Sequence, residues 1–268
     1  MDENKKQICL TSVKATVLEL FGIEKSQGDD RANPYIIEKN GGKIIDRAVI
    51  YNPDAVALWL YEKYRDKFIP AEQVSEFALP LKSVMPSVTP VCFASMYSGV
   101  MPEIHGIKKY EKPILTCETL FDRMIAAGKK CAICSTAGDS ISKIFLDRNM
   151  DYFIYPTVWQ VNAKTKKLIR QDKYDLIVIY NGNYDSTMHH NGPEAKKSLK
   201  VLDKNIAVYK KIAGYIKKYY ADKRVFYGFC PDHGCHEIDG KAGSHGLDCY
   251  EDMKIIHFYS IKEAKKNV

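Results

Sequence analysis

The chain has 268 residues, of which 46% are hydrophobic and 27% charged, enough to bury a sizeable core in one globular domain. No apolar run approaches the roughly 18 residues of a membrane-spanning helix, and the start MDENKKQ is too charged for the apolar centre of a signal peptide; a cytoplasmic protein with no membrane partner is expected. The net charge of +7 is spread over lysine-rich stretches such as 196–223, without arginine clusters or interleaved aromatics, which argues against a specific nucleic-acid site.

In chain order, residues 10–24 carry helical spacing, and GDDRANP and KNGGK read as exposed turns. Short β-rich runs then alternate with helical stretches. AVIYN (48–52) precedes the helical pattern 56–68, CAICS (131–135) precedes 139–149, and YDLIVIYN (174–181) precedes a long amphipathic stretch at 196–220. RVFYGF (224–229) and IIHFYSI (255–261) complete the set. This alternation predicts an α/β fold of one domain over 1–268, doubly wound around a mainly parallel central sheet with helices on both faces. The segment 151–172 is expected to form a small extra hairpin. The eight cysteines are scattered through a long chain, so reduced thiols are expected. Cys131 and Cys134 sit in an apolar run, where cysteine serves as a small hydrophobe rather than a redox pair.

In open α/β sheets ligands bind beyond the carboxyl ends of the strands. Three such ends carry acids: Asp54 follows AVIYN, Asp185 follows LIVIYNGNY, and Asp232 with His233 follows VFYGFCP. Asp185 and His189 are four residues apart and can face one point on a helical turn. His245 lies in AGSHG, among small residues that admit close backbone approach. Carboxylates mixed with imidazoles suit zinc, with manganese or iron as substitutes. Six such groups exceed one tetrahedral ion, and two divalent ions about 4 Å apart would clamp an in-line displacement. Thr89, before Pro90, reads as the N-cap of a helix that closes near Gly99, a role that by itself needs no chemistry. Beside the acids and histidines it becomes a candidate nucleophile, since the helix start favours a phosphate there.

These residues resemble the alkaline phosphatase superfamily, most closely its nucleotide pyrophosphatase/phosphodiesterase branch. The likeness spans about residues 48–246. In PSVTPVCFASMYSGVMPEIHGI, Thr89, Gly99, Pro102, His105 and Gly106 fall on the nucleophile block; Asp185, His189, Gly192 and Pro193 match D-x-x-x-H-x-x-G-P; Asp232, His233 and Gly234 match DHG; His245 and Gly246 match the late HG. The resemblance implies an alkaline phosphatase-like fold, with Asp185, His189 and His245 on one zinc and Asp54, Thr89, Asp232 and His233 on the other. Asp46 is an upstream competitor for the place given to Asp54.

Where the branch carries an asparagine three residues after the nucleophile, this chain has Cys92, so the amides of Val91 and Cys92 are expected to hold the phosphate oxygen. Only 11 residues separate His233 from His245, where larger relatives insert a long segment. His105, His190, His236 and His257 are expected to be structural, with His236 placed to support a ligand. The T-P-V-C-F segment lacks the sulfatase pattern, and the long inserted domain of a phosphoglycerate mutase is missing. The expected activity is phosphodiester or nucleotide pyrophosphate hydrolysis through a phosphothreonine, on a small phosphorylated substrate such as a nucleotide. Phosphomonoesterase and phosphonate hydrolase activities stay open, as does a catalytically silent relative that binds metal or nucleotide.

Overall fold

A computed structural model of the chain describes residues 7–265. The strands are β1 (Arg47–Pro53), β2 (Phe77–Lys82), β3 (Cys131–Thr136), β4 (Asp151–Tyr155), β5 (Leu176–Asn181), β6 (Val225–Phe229), β7 (His236–Ile238), β8 (Ala242–Ser244) and β9 (Lys254–Lys262). Among the described residues the main sheet has seven strands in the order β2-β9-β6-β1-β5-β3-β4, with β7 and β8 forming a separate hairpin. β6, β1, β5, β3 and β4 pair in parallel, whereas β9 pairs antiparallel with both β6 and β2.

The helices are α1 (Ser12–Leu20), α2 (Pro34–Asn40), α3 (Leu58–Lys63), α4 (Arg65–Glu72), α5 (Thr89–Ser98), α6 (Pro102–His105), α7 (Leu120–Ala126), α8 (Ile141–Ile144), α9 (Val158–Gln171), α10 (Asn183–Asn191), α11 (Lys196–Tyr219) and α12 (Tyr250–Met253). Central strands read as unbroken apolar runs because both their faces are buried. Ala48, Ile50, Ile133 and Val178 pack under α1, α5 and α7, while Val49, Tyr51, Ala132 and Ile177 pack under α4, α9 and α11. Cys131 belongs to the first core and Cys134 to the second. They point to opposite faces of β3, both are buried, and burial pushes both thiols up to about 12.

Three expectations need correction, and one strand was not foreseen. Residues 151–172 are not a hairpin: β4 is an edge strand of the main sheet, paired in parallel with β3, and α9 follows it. Thr157 caps α9 by accepting the Gln160 amide at 3.4 Å, which starts a helix where a turn and return strand were expected. The pattern 56–68 is two helices rather than one, broken at Tyr64 (φ −118°, ψ 43°). Only one turn of 139–149 is helical. β2, with Pro80 inside it and alternating exposure, escaped the reading because an edge strand tolerates proline and needs little apolar surface.

α5, the helix that carries Thr89, is buried along its whole length and ends at Gly99, whose φ of +74° lies in the left-handed region. A Cβ there would sit 3.0 Å from Cδ of Lys14, itself buried and paired with Asp29 at 2.8 Å. Gly99→Ala is therefore expected to cost about 1–3 kcal/mol in urea unfolding.

Candidate active site

β6, β1 and β5 are adjacent in the sheet and run the same way, so their carboxyl ends deliver Asp232 with His233, Asp54 and Asp185 side by side. The chain leaves β1 through a strained corner, since Ala55 is fully buried at φ +61° and its amide donates to Asp232 Oδ1 at 3.4 Å. Asp185 and His189 lie one turn apart on α10. His245 follows β8. Asp46 lies before β1, at the far end of that strand, where its carboxylate accepts the Arg224 amide at 2.6 Å.

Two triads result. In one, the Nε2 atoms of His189 and His245 lie 3.2 and 3.4 Å from Asp185 Oδ1 and 3.2 Å from each other. In the other, His233 Nε2 lies 3.3 Å from Asp54 Oδ1 and 3.3 Å from Asp232 Oδ2. The two groups touch through the stacked rings of His233 and His245, whose centroids are 4.0 Å apart.

In all three histidines Nδ1 faces a backbone carbonyl at 2.9 Å: Gly243 for His189, Ser87 for His245, Gly234 for His233. A carbonyl only accepts, so the ring proton sits on Nδ1 and the Nε2 lone pair points inward. Donors about 2.0 Å from a tetrahedral ion stand about 3.3 Å from one another, the spacing both triads show. Asp54 Oδ1, Asp185 Oδ1 and Asp232 Oδ2 are buried without a hydrogen-bond donor. Such oxygens are costly unless a cation meets them, so the residues present fit a divalent ion in each triad.

The electrostatics agree. Burial, followed by repulsion from Asp185, raises the Asp54 carboxyl to about 7, and burial with Asp54 nearby raises Asp232 further. Burial also pushes Asp185 upward, but the imidazoles of His189 and His245 beside it outweigh burial and hold the group well below the carboxylate range. His233 is lowered by burial and by His245, so its ring stays neutral.

Thr89 sits within reach of the second triad, its Oγ1 3.2 Å from His233 Nε2 and 3.4 Å from Asp54 Oδ2. It is not the N-cap. Val88 takes that position, Thr89 is the first helical residue, and its hydroxyl makes no cap hydrogen bond. The expected phosphate contacts through Val91 and Cys92 are likewise corrected, because both amides donate to the Val88 carbonyl at 3.0 Å. The Cys92 side chain turns into the core, 3.2 Å from Ser83 Oγ, with its thiol raised by burial.

His105 lies against Ser95 Oγ at 2.8 Å and is lowered to about 4 by burial. His257 is buried between Tyr259 and Pro231, and His190 contacts the Ser186 carbonyl. His236 braces the site from behind: its Nδ1 is 2.8 Å from Asp252 Oδ1, while the other carboxylate oxygen of Asp252 holds the Leu247 amide and its carbonyl holds the Gly234 amide. Asp252 thus ties the loop of His233 to the loop of His245. Gly234 is required there, since a Cβ would stand 1.9 Å from the Glu251 carbonyl oxygen.

The sequence reading missed the rest of the cleft. A space of about 460 Å³ opens from Asp54, Thr89 and Asp185 towards Tyr110, Lys112 and Asp139. Tyr180, the last tyrosine of β5, donates its hydroxyl to Asp54 Oδ2 in a short hydrogen bond. Its place just before a strand end was a usable signal; Tyr110 and Lys112 lie in an irregular loop and gave none. Lys112, the one lysine or arginine lining the cleft among the described residues, bonds the Gly138 carbonyl at 2.9 Å and stands 5.2 Å from the Tyr110 ring centre.

No protein-family model and no curated protein matches this sequence. Solved structures do match. Mouse ectonucleotide pyrophosphatase/phosphodiesterase 5, as an inactive form in complex with AMP, superposes with a TM-score of 0.58 at 14% identity over 72% of this chain. The chain shares the fold of that structure. The human enzyme of the same name gives 0.57 at 14% identity over 72%, and phosphonoacetate hydrolase from Sinorhizobium meliloti in complex with phosphonoformate gives 0.54 at 16% over 73%. The match covers 58% of each phosphodiesterase chain and 59% of the phosphonoacetate hydrolase. Among the described residues no helix is long and apolar enough to cross a membrane.

Because Asp54 titrates near 7 before a cation binds, and only its ionised form is a good ligand, binding and proton release are linked. Zinc affinity is expected to fall roughly tenfold for each pH unit below about 7 from this group alone, with proton release visible in titration calorimetry across buffers of different ionisation enthalpy.

Proposed function

We propose that this chain is a metal-dependent hydrolase of phosphate esters, most closely a phosphodiesterase or nucleotide pyrophosphatase, that works through a phosphothreonine on Thr89. The observation that carries the reading is the pair of triads with inward-facing donors about 3.3 Å apart beside a buried threonine hydroxyl that has no capping role. Asp185, His189 and His245 would hold one divalent ion, and Asp54, Asp232 and His233 the other, with Thr89 at the second. The ions, zinc by the chemistry of the donors, would lower the pKa of the attacking oxygen and stabilise the leaving oxygen.

The residues do the rest. The start of α5 presents the Thr89 oxygen to the cleft, and burial of the site keeps bulk water away from it. Thr89 Oγ1 attacks phosphorus in line, the P–O bond to the alcohol or phosphoryl leaving group breaks, and its electron pair departs with that oxygen. Water then attacks phosphorus from the side that the leaving group vacated, opposite Thr89 Oγ1; the P–Oγ1 bond breaks, its electron pair returns to Oγ1 with a proton from the water, and a phosphate product leaves. Tyr180 holds Asp54 by its hydroxyl and so fixes the carboxylate that faces Thr89. Among the described residues no arginine lines the cleft to meet a second charged oxygen of a monoester, which favours diesters. Lys112 at the cleft wall favours a substrate with a further anionic group, as a nucleotide pyrophosphate has. A phosphonate bearing a carboxylate would use the same lysine, and this is the second reading. A cytoplasmic setting stays part of the proposal.

A parallel assay of an aryl phosphodiester and an aryl phosphomonoester tests the reading. The wild type is expected to prefer the diester, and Thr89→Ala to lose turnover on the order of 10³-fold or more while keeping its metal. Lys112→Ala is expected to raise KM for a nucleotide pyrophosphate several-fold and leave the neutral-armed aryl diester unchanged. Turnover retained by Thr89→Ala would remove the phosphothreonine, and preference for the monoester would remove the diesterase assignment.

A further inference from the structure

A second groove, of about 580 Å³, runs between α9 and α11 and meets the cleft end to end, because Val158 and Asn183 line both. Its walls join features that are far apart in sequence. Trp159 stands at the cleft end with 77% of its surface exposed. Lys166 from α9 and Lys204 and Lys211 from α11 edge the groove, and no acidic side chain lines it among the described residues. Lys204 and Lys211 are two helical turns apart, about 10 Å along α11. Asn205 lines the same groove at 1% exposure, and both atoms of its amide lack any hydrogen-bond partner; Asn183 Oδ1 lacks one as well.

An amide buried with donor and acceptor both unmet calls for a ligand that offers the complementary pair. A nucleobase edge does so, and asparagine reads such edges through both amide atoms. An exposed indole offers a stacking face to any base, and spaced lysines without acids meet a repeating anion. We propose that the groove between α9 and α11 binds a single-stranded oligonucleotide, whose bases stack on Trp159 and pair with Asn205 and whose phosphates lie along Lys166, Lys204 and Lys211. Combined with the reading of the cleft under Proposed function, on which this step rests, the strand would lead a scissile phosphate to Thr89. Spacing along the chain argues against such a site, because Trp159 and the lysines of α11 come together only when α9 packs on α11.

The test is fluorescence anisotropy of a labelled single-stranded octanucleotide of mixed sequence, with zinc-loaded Thr89→Ala as the background so that the strand stays intact. Binding is expected to weaken about tenfold with Trp159→Ala and several-fold with Asn205→Ala. The double change Lys204→Glu and Lys211→Glu is expected to weaken it at least tenfold and to flatten its dependence on salt. In the Thr89-containing protein the same groove changes are expected to leave turnover of an aryl diester within twofold. Equal binding by all variants, no binding by the parent, or equal competition by an acidic peptide would overturn the groove. An aryl diester that the wild type does not hydrolyse would overturn the proposed function instead, while the anisotropy would still decide the groove.

Discussion

Three carboxylates that the sheet buries side by side, without a lysine or arginine to pair with them, impose the constraint on which the site depends. Their ion-pair partners among the described residues are histidines alone. Removing a carboxylate from water costs several kcal/mol after relaxation, and an imidazole whose Nδ1 proton is committed to a backbone carbonyl returns only part of that. The group must therefore either keep protons, as the raised Asp54 and Asp232 do, or meet a cation. One oxygen on each acid is left without a donor, and three imidazoles are fixed by backbone carbonyls with their free nitrogens inward. Both facts favour the cation.

The fold serves this constraint at several levels. Neighbouring parallel strands bring three acids to one edge, and the left-handed Ala55 turns the chain sharply enough for its amide to reach Asp232. The carbonyl of Ser87 holds His245 from the loop that leads to Thr89, so one loop positions both Thr89 and a histidine of the first triad. Asp252 ties the two histidine loops together from behind. The antiparallel β9 lies between β6 and the edge strand β2, and the short β7–β8 hairpin spans the chain between His233 and His245.

What could be read from the sequence follows from how local each signal is. The apolar runs of β1, β3, β5, β6 and β9 are continuous because both faces are covered, and the acids that follow β1, β5 and β6 mark one edge of the sheet, so the doubly wound fold and the clustered acids and histidines were legible. β2 was not, since half its side chains face solvent. β4 and α9 were misread because β4 is only partly buried and the single threonine that starts α9 is a weak signal for a helix. The cap assigned to Thr89 and the contacts assigned to Val91 and Cys92 failed by one residue of helix register: beginning the helix at Thr89 hands the amides of residues 91 and 92 to Val88. Lys112, Trp159 and Asn205 reach the cleft and the groove beside it only through the packing of distant segments, which spacing along the chain does not encode.

The central claim is that both triads hold divalent ions. Anomalous diffraction at the zinc edge, from crystals of zinc-loaded protein, measures this directly. The account predicts two peaks about 4 Å apart, one bounded by Asp185, His189 and His245 and one by Asp54, Asp232 and His233 beside the Thr89 hydroxyl. A crystal with full zinc loading and no peak within either triad would contradict it.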